Sequence, residues 1–306
     1  MHPPEFVQRL IDRYAAAIPY SRLERASAAL SDSYRSGQKT ADVKLAAEDR
    51  VAAYLVTRMP ATYAAVFHVL REIAGRIEVR SILDLGAGAG AAMVAALQIF
   101  EGLKTLTLVE ADDAFRQAGM EFVPAGKWIA RDLRQCEPLP EADLVIASYS
   151  LGELGIGVLE RAWQTARTAL VLIEPGSPAG FRLIREARDK LLSKGAHMLA
   201  PCPGEGVCPI PPGDWCHFGQ RVERSALHRR MKHATLSYED EKFSYVAVSR
   251  ADCGRVGARL IRRPIHYPGL IELVVCRGDR IASEAIQKRH KESFRRARKL
   301  SWGDPV

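Results

Sequence analysis

The stretch Ser81-Ile82-Leu83-Asp84-Leu85-Gly86-Ala87-Gly88-Ala89-Gly90 decides how the rest of the chain is read. Its first half is a short apolar strand, and its second half is a turn with glycine at every other position. Glycine lets the backbone turn tightly and approach a ligand with no side chain in between. Residues 91–100 then read as a helix, whose first free N–H groups point back at that turn. Twenty residues past Gly90, Glu110 follows the apolar run Thr105-Leu106-Thr107-Leu108-Val109. An acid at that place commonly accepts hydrogen bonds from ribose hydroxyls. Asp132, after a short strand at 128–130, stands as a third corner near an adenine amino group.

Outward from this unit, apolar runs at 81–85, 105–109, 143–147 and 169–173 alternate with helical stretches. That rhythm argues for a parallel sheet covered on both faces. Glycines at 86, 88 and 90 behind Asp84 resemble the first motif of the class I S-adenosylmethionine-dependent methyltransferases more than the dinucleotide G-x-G-x-x-G. The resemblance implies an α/β, Rossmann-like fold with a mostly parallel seven-stranded sheet, binding S-adenosylmethionine through Asp84, Gly86, Gly88, Gly90, Glu110 and Asp132. A fold that has lost its ligand and a nicotinamide or flavin dinucleotide site are the alternatives. Strand signals at 243–248 and 270–275 suggest an antiparallel finish to the sheet.

The catalytic side is poor. Amine-methylating enzymes of this class carry Asn/Asp-Pro-Pro-aromatic after the fourth strand, where this chain has Ser148-Tyr149-Ser150-Leu151-Gly152-Glu153. No cysteine nucleophile lies there, and Cys136 reads as a packed thiol. Glu153 and Glu174 follow strand ends, where each could serve as a general base or, at least as readily, cap the following helix or line the pocket. The catalytic residues, and turnover itself, are left unassigned.

Residues 1–75 read as a helical region, with amphipathic stretches near 21–35, 42–58 and 61–75. The remaining divisions are a Rossmann-like core at 76–195, a Cys-rich insertion at 196–235, and C-terminal strands with a basic tail at 236–306. No run of 18 apolar residues occurs and the opening residues lack a secretory or transit layout, so a cytoplasmic protein with no membrane segment is expected. The net charge of +8 is uneven: residues 1–199 hold 24 Lys/Arg against 24 Asp/Glu, and residues 200–306 hold 20 against 12. A localised excess of this kind steers toward polyanions.

Cys202, Cys208 and Cys216 fall within fifteen residues of a segment, 196–220, too rich in Pro and Gly for regular structure. Thiolates are soft ligands, and one ion or cluster can tie such a loop down. Cys276, Cys253, His217 and His228 are candidates for a fourth ligand, and zinc and iron–sulfur both remain open on spacing alone.

Pro201-Cys202-Pro203, Cys208-Pro209 and Gly213-Asp214-Trp215-Cys216-His217-Phe218 resemble the Rsm-type family of mitochondrial small-ribosomal-subunit assembly factors and their bacterial relatives. Supporting stretches run from Leu172 to Phe181, from Tyr238 to Tyr245, and through Ala297-Arg298-Lys299 to Trp302-Gly303-Asp304. The resemblance implies a [4Fe-4S] cluster on Cys202, Cys208, Cys216 and Cys276, with zinc the alternative, Trp215 and Phe218 as shields, and Cys253 incidental. It also implies the small ribosomal subunit and its rRNA as partner, and no DNA. Basic groups at Arg221–Lys232 (with Arg224, His228, Arg229 and Arg230 between), at Arg259, Arg262 and Arg263, and in the tail 288–299 suit such a partner. An assembly factor using cofactor and cluster for structure or sensing is therefore expected, ahead of an active rRNA methyltransferase or a small-molecule methyltransferase with structural zinc.

Overall fold

A computed structural model describes residues 1–36, 44–135 and 138–306. Four helices open the chain: α1 (Glu5–Ala16), α2 (Tyr20–Ser36), α3 (Ala47–Thr57) and α4 (Met59–Ile73). In α1, Val7, Ile11 and Ala15 recur every four residues and are the buried face. The fourth helix starts with Pro60 in its first turn, where a missing N–H costs nothing. Val66, Val69, Leu70 and Ile73 of α4 are fully buried, because this helix packs on the sheet rather than on its own region alone.

Alternation of strand and helix follows: β1 (Ser81–Leu85), α5 (Ala91–Leu97), β2 (Thr105–Glu110), α6 (Asp113–Phe122), β3 (Lys127–Ala130), β4 (Ala142–Ser148), α7 (Leu151–Leu154), α8 (Val158–Thr165), β5 (Ala166–Pro175) and α9 (Pro178–Ser193). The last part comprises β6 (His197–Ala200), β7 (Phe218–Glu223), α10 (Ala226–Met231), β8 (Tyr238–Ser249), β9 (Arg259–Leu260), β10 (Ile265–Tyr267), β11 (Leu270–Cys276), β12 (Ile281–Gln287) and α11 (Lys291–Ala297). The main sheet has the order β3-β2-β1-β4-β5-β8-β6, with β7 also paired to β8. Strands β1 to β5 are mutually parallel and β8 runs against them. This is the methyltransferase-type Rossmann-like arrangement. The order reverses between β1 and β4, so a crevice opens at their carboxyl ends.

Two sequence expectations are corrected. The 243–248 strand joins the sheet but is not its edge, since β5 lies on one side and β6 and β7 lie on the other. The 270–275 strand does not join it at all. It lies in a separate four-stranded antiparallel sheet with β9, β10 and β12. With the outer side of β8 already occupied, β11 pairs with the neighbour it reaches through the short turn at Arg277–Arg280, where Gly278 adopts φ 90°. The main sheet thus has eight strands rather than seven. The eighth is β7, which begins inside the segment 196–220 that reads as irregular.

The outer edge of β8 is split. Ala200 of β6 pairs with Ala247, and Phe218 of β7 pairs with Phe243. Between them Ser244, Tyr245 and Val246 have no strand neighbour on that side, and residues 201–217 bulge away as the Cys-rich loop. Gly176, after β5, lies tight against this seam: a Cβ there would sit 2.7 Å from the backbone of Lys242 and Phe243. Backbone cannot yield as a flexible side chain does. Gly176→Ala is therefore expected to cost about 1–3 kcal/mol. Gly157→Ala, at φ −63° with open space around it, is expected to be neutral or mildly stabilising. Urea denaturation of the two variants checks both signs.

Candidate functional site: a glycine-lined cleft and a thiol cavity

Gly86, Gly88 and Gly90 all adopt positive φ, 72°, 54° and 85°. Gly86 and Ala87 donate their N–H groups to the Val109 carbonyl, both at 3.0 Å, which pins the turn to the end of β2. Glu110 accepts from the N–H of Gly88 and of Asp112, each at 2.8 Å. Burial pushes the Glu110 carboxyl up. A Cβ built on Gly88 would meet only the Tyr54 hydroxyl, at 3.7 Å, so the turn faces open space. The helical region reaches over this cleft: Arg50 pairs with Asp112, and Tyr54 packs edge-on to Phe115 at 5.1 Å between ring centres. Asp132 is held in a bidentate pair with Arg134 just beyond β3.

Asp84 is fully buried, and neither carboxylate oxygen has a hydrogen-bond partner. Burial, reinforced by Glu110, pushes its carboxyl up to about 7. A buried acid without a donor is poised for a cation. An unpartnered carboxyl beside a glycine turn with room at Gly88 suits the chemistry of an amino-acid nucleoside such as S-adenosylmethionine, whose ammonium would supply the missing donor.

At the carboxyl end of β4 the structure shows a network that sequence reading missed. Tyr149 adopts φ 56°, uncommon for a residue with a side chain. Its hydroxyl donates to Glu241 at 2.9 Å, and Arg58 of α3–α4 donates to the same carboxylate at 3.1 and 3.4 Å. Burial holds the Tyr149 hydroxyl well above its usual range, so it acts as a donor and not as a base. Glu174 accepts from the Gly152 N–H at 3.2 Å and so caps the short α7, while burial pushes it up to about 7.

The second site is a cavity of about 50 Å³ whose lining includes Cys202, Cys208, Cys216 and Cys276. The first three come from the loop between β6 and β7, the fourth from the end of β11. The gap in the edge strand, Ser244 to Val246, forms one wall, and Ser244 donates to the Cys216 carbonyl at 2.8 Å. Phe218 is also in the wall. Trp215 belongs to the same apolar cluster as Cys208, Cys216 and Cys276 and donates its indole N–H to the Gly176 carbonyl at 3.0 Å. The cavity lining includes neither Cys253 nor His217 nor His228. His217 stacks on Trp215 and meets Trp302 edge-on, and His228 is buried beside Glu239. Cys136 lies outside the described residues.

Burial pushes Cys202 up to about 11 and Cys216 and Cys276 upward as well, so these thiols keep their protons unless a cation draws them off. Among the described residues, no three His, Cys, Asp or Glu side chains are grouped as they would be around a single ion. The thiols ring a space instead. Two buried guanidiniums, Arg188 and Arg259, share the wall, a donor set that suits an anionic occupant.

The basic groups fare unequally. Arg221 and Arg263 pair with Asp240, Arg224 and Lys232 with Glu239, Arg262 with Asp214, and Arg259 with Glu72. Four carboxylates are thus shared among the eight Arg and Lys side chains of the two internal groups, so the pairing offsets their charge only in part. In the tail, Lys288, Arg289, Lys291, Arg295, Arg296, Arg298 and Lys299 are exposed and make no ion pair among the described residues.

The family described as "Mitochondrial small ribosomal subunit Rsm22" matches residues 48–306. The chain belongs to that family. It is 26% identical over 289 residues to human "Ribosome assembly protein METTL17, mitochondrial", covering 82% of this chain and 61% of that protein. It is also 26% identical over 327 residues to "Rsm22-cox11 tandem protein 2, mitochondrial" of Schizosaccharomyces pombe, covering 84% of this chain and 43% of that one. The chain thus spans under two thirds of the length of these relatives. Their names place those relatives in mitochondria. No helix among the described residues is long and apolar enough to cross a membrane. A methyltransferase structure from Aquifex aeolicus aligns at a TM-score of 0.41 with 16% identity, over 64% of this chain and 95% of that one. The strand order, not this alignment, carries the fold.

Asp84 sets a pH dependence. Its folded pKa, about 7, exceeds the unfolded value of about 3.9, so the folded state binds the proton more tightly. Stability from this group is therefore present below about pH 4 and lost as pH rises to about 7. In cofactor-free protein, Asp84→Asn should gain stability relative to the parent across that window, by on the order of 2–4 kcal/mol. Thermal melts of both proteins at a series of pH values test this; parallel curves would contradict it.

Proposed function

We propose that this chain is a small-ribosomal-subunit assembly factor that binds S-adenosylmethionine at Asp84, Gly86, Gly88, Gly90, Glu110 and Asp132, and carries an iron–sulfur cluster on Cys202, Cys208, Cys216 and Cys276. One observation carries the cluster reading: four thiols, the last sixty residues beyond the third, line a single cavity. A ring of sulfurs around a space favours a polynuclear group over one zinc ion, whose ligands converge to about 2.3 Å from a point. The family and the names of the relatives support the ribosomal assignment. Tyr149, tied to Glu241 and Arg58 where an amine clamp would stand, supports assembly ahead of methyl transfer.

Anaerobically prepared protein should be brown and contain iron and acid-labile sulfide. Cys276→Ser should bleach it, and Cys253→Ser should leave the spectrum intact. A colourless preparation with one zinc per chain would replace the cluster with a structural metal. Methyl groups incorporated into immature small subunits from labelled cofactor would turn the assembly reading into one of an active rRNA methyltransferase.

The unpaired tail is the part of the surface best suited to rRNA phosphates. Replacing Arg295, Arg296, Arg298 and Lys299 by Gln should weaken binding to small-subunit rRNA. The salt dependence should flatten too, by up to about 0.9 in log–log slope for each phosphate that is no longer neutralised. Arg221→Gln and Arg263→Gln, both already paired with Asp240, should change the slope little. Filter binding across a salt series reads both.

A further inference from the structure

Two arginines hold positive charge in the wall of the thiol cavity, where water scarcely reaches. The side chain of Arg188, on α9, is 5% exposed, and that of Arg259, on β9, is 1% exposed. Neither is used up by its visible partners. Arg188 gives Nη1 to Asp189 at 2.6 Å and Nη2 to the carbonyls of Gly204 and Gly206 at 3.1 and 2.7 Å. Its Nε is buried and has no acceptor. Arg259 gives Nε to the Pro201 carbonyl at 3.0 Å, and Nη1 to Glu72 at 2.8 Å and to the Gly303 carbonyl at 2.6 Å. Its Nη2 is likewise buried and unspent.

A buried charged donor without an acceptor is costly, and two in one wall also repel each other. Both costs vanish if the cavity holds an anion. Four thiolates on a dipositive core, whether a zinc ion or an oxidised four-iron cluster, carry a net charge of −2, the sign that guanidiniums favour even where, as here, each is already paired with one carboxylate. The stretch around Cys202 is the shared focus, since Arg259 binds the carbonyl of Pro201 just before it and Arg188 that of Gly204 two residues after it.

We propose that Arg188 and Arg259 are positioning residues that neutralise the metal–thiolate group on Cys202, Cys208, Cys216 and Cys276 and donate their free N–H groups to its sulfurs. The proposal rests on the metal reading given under the proposed function. Hydrogen bonds and positive charge at the sulfurs favour the more negative, reduced state of a cluster, so both arginines raise its reduction potential. Asp189 and Glu72 each offset part of one guanidinium, but both lie outside the cavity lining.

The experiment uses the full chain prepared anaerobically, with Arg188→Met and Arg188→Lys. Arg259 is left in place because it also braces Glu72 and Gly303. Metal and sulfide analysis comes first, followed by dithionite titration monitored in the visible and by the rate of metal release to a chelator. Arg188→Met is expected to titrate at a lower potential and release metal several-fold faster, with Arg188→Lys in between. An Arg188→Met protein with full iron and sulfide that matches the parent in both would overturn the proposal. If Arg188→Met does not fold, the potential of Arg188→Lys decides, because lysine keeps the charge but loses the Nε donor. A parent protein holding zinc and no sulfide would sink the cluster reading alone, and the zinc release rates would then judge the arginines. A parent binding neither metal would sink both.

Discussion

A loop without a ladder of its own must still satisfy its carbonyl groups, and everything distinctive about this molecule follows from how residues 201–217 do so. Guanidinium groups take the place of a neighbouring strand. Arg259 reaches the Pro201 carbonyl, Arg188 those of Gly204 and Gly206, and Arg185 those of Cys208 and Ile210. These arginines stand on α9 and β9, so the loop is held by elements on both sides of the split edge of β8. The side chains that tie down its backbone also charge the chamber it encloses, and structure and chemistry here cannot be separated.

The glycine cleft is governed by a different balance. The turn itself is fixed by Val109 and Glu110, and the helical region then closes over it through Arg50 and Tyr54. Arg58, at the junction of α3 and α4, reaches the far side of the same crevice to meet Glu241 and Tyr149. A region that carries no cofactor motif therefore shapes both rims of the cleft. Helix α4 is buried deeply enough that the whole layer behaves as part of the core.

What is legible in the sequence is what is local. The glycine turn and the alternation of strand and helix each sit within a few residues, and the structure shows them as read, with Glu110 at the end of β2. Cys276 is sixty residues from its nearest companion in the ring, and only a family resemblance joins it to the others. The pairing of β11 escapes a sequence reading because an apolar run does not say which edge is free, and the edge it would join is taken by β6 and β7. Counting Lys and Arg does not reveal that Glu239, Asp240 and Glu241, successive on β8, point alternately to its two faces and absorb charge from both. Tyr149 leaves no trace at all, since its significance lies in a backbone angle and two distant partners.

The split edge also has a temporal side. Chain order delivers Cys202, Cys208 and Cys216 before β8, which supplies their back wall, and well before Cys276, which closes the ring. At about 5–20 residues per second, the sixty residues between the third and fourth thiols take on the order of 3–12 s to synthesise. Throughout that interval three reactive sulfurs ride on an unsupported loop. A group held by all four thiols could be completed only once Cys276 has been made, and until then the first three would depend on a reducing environment.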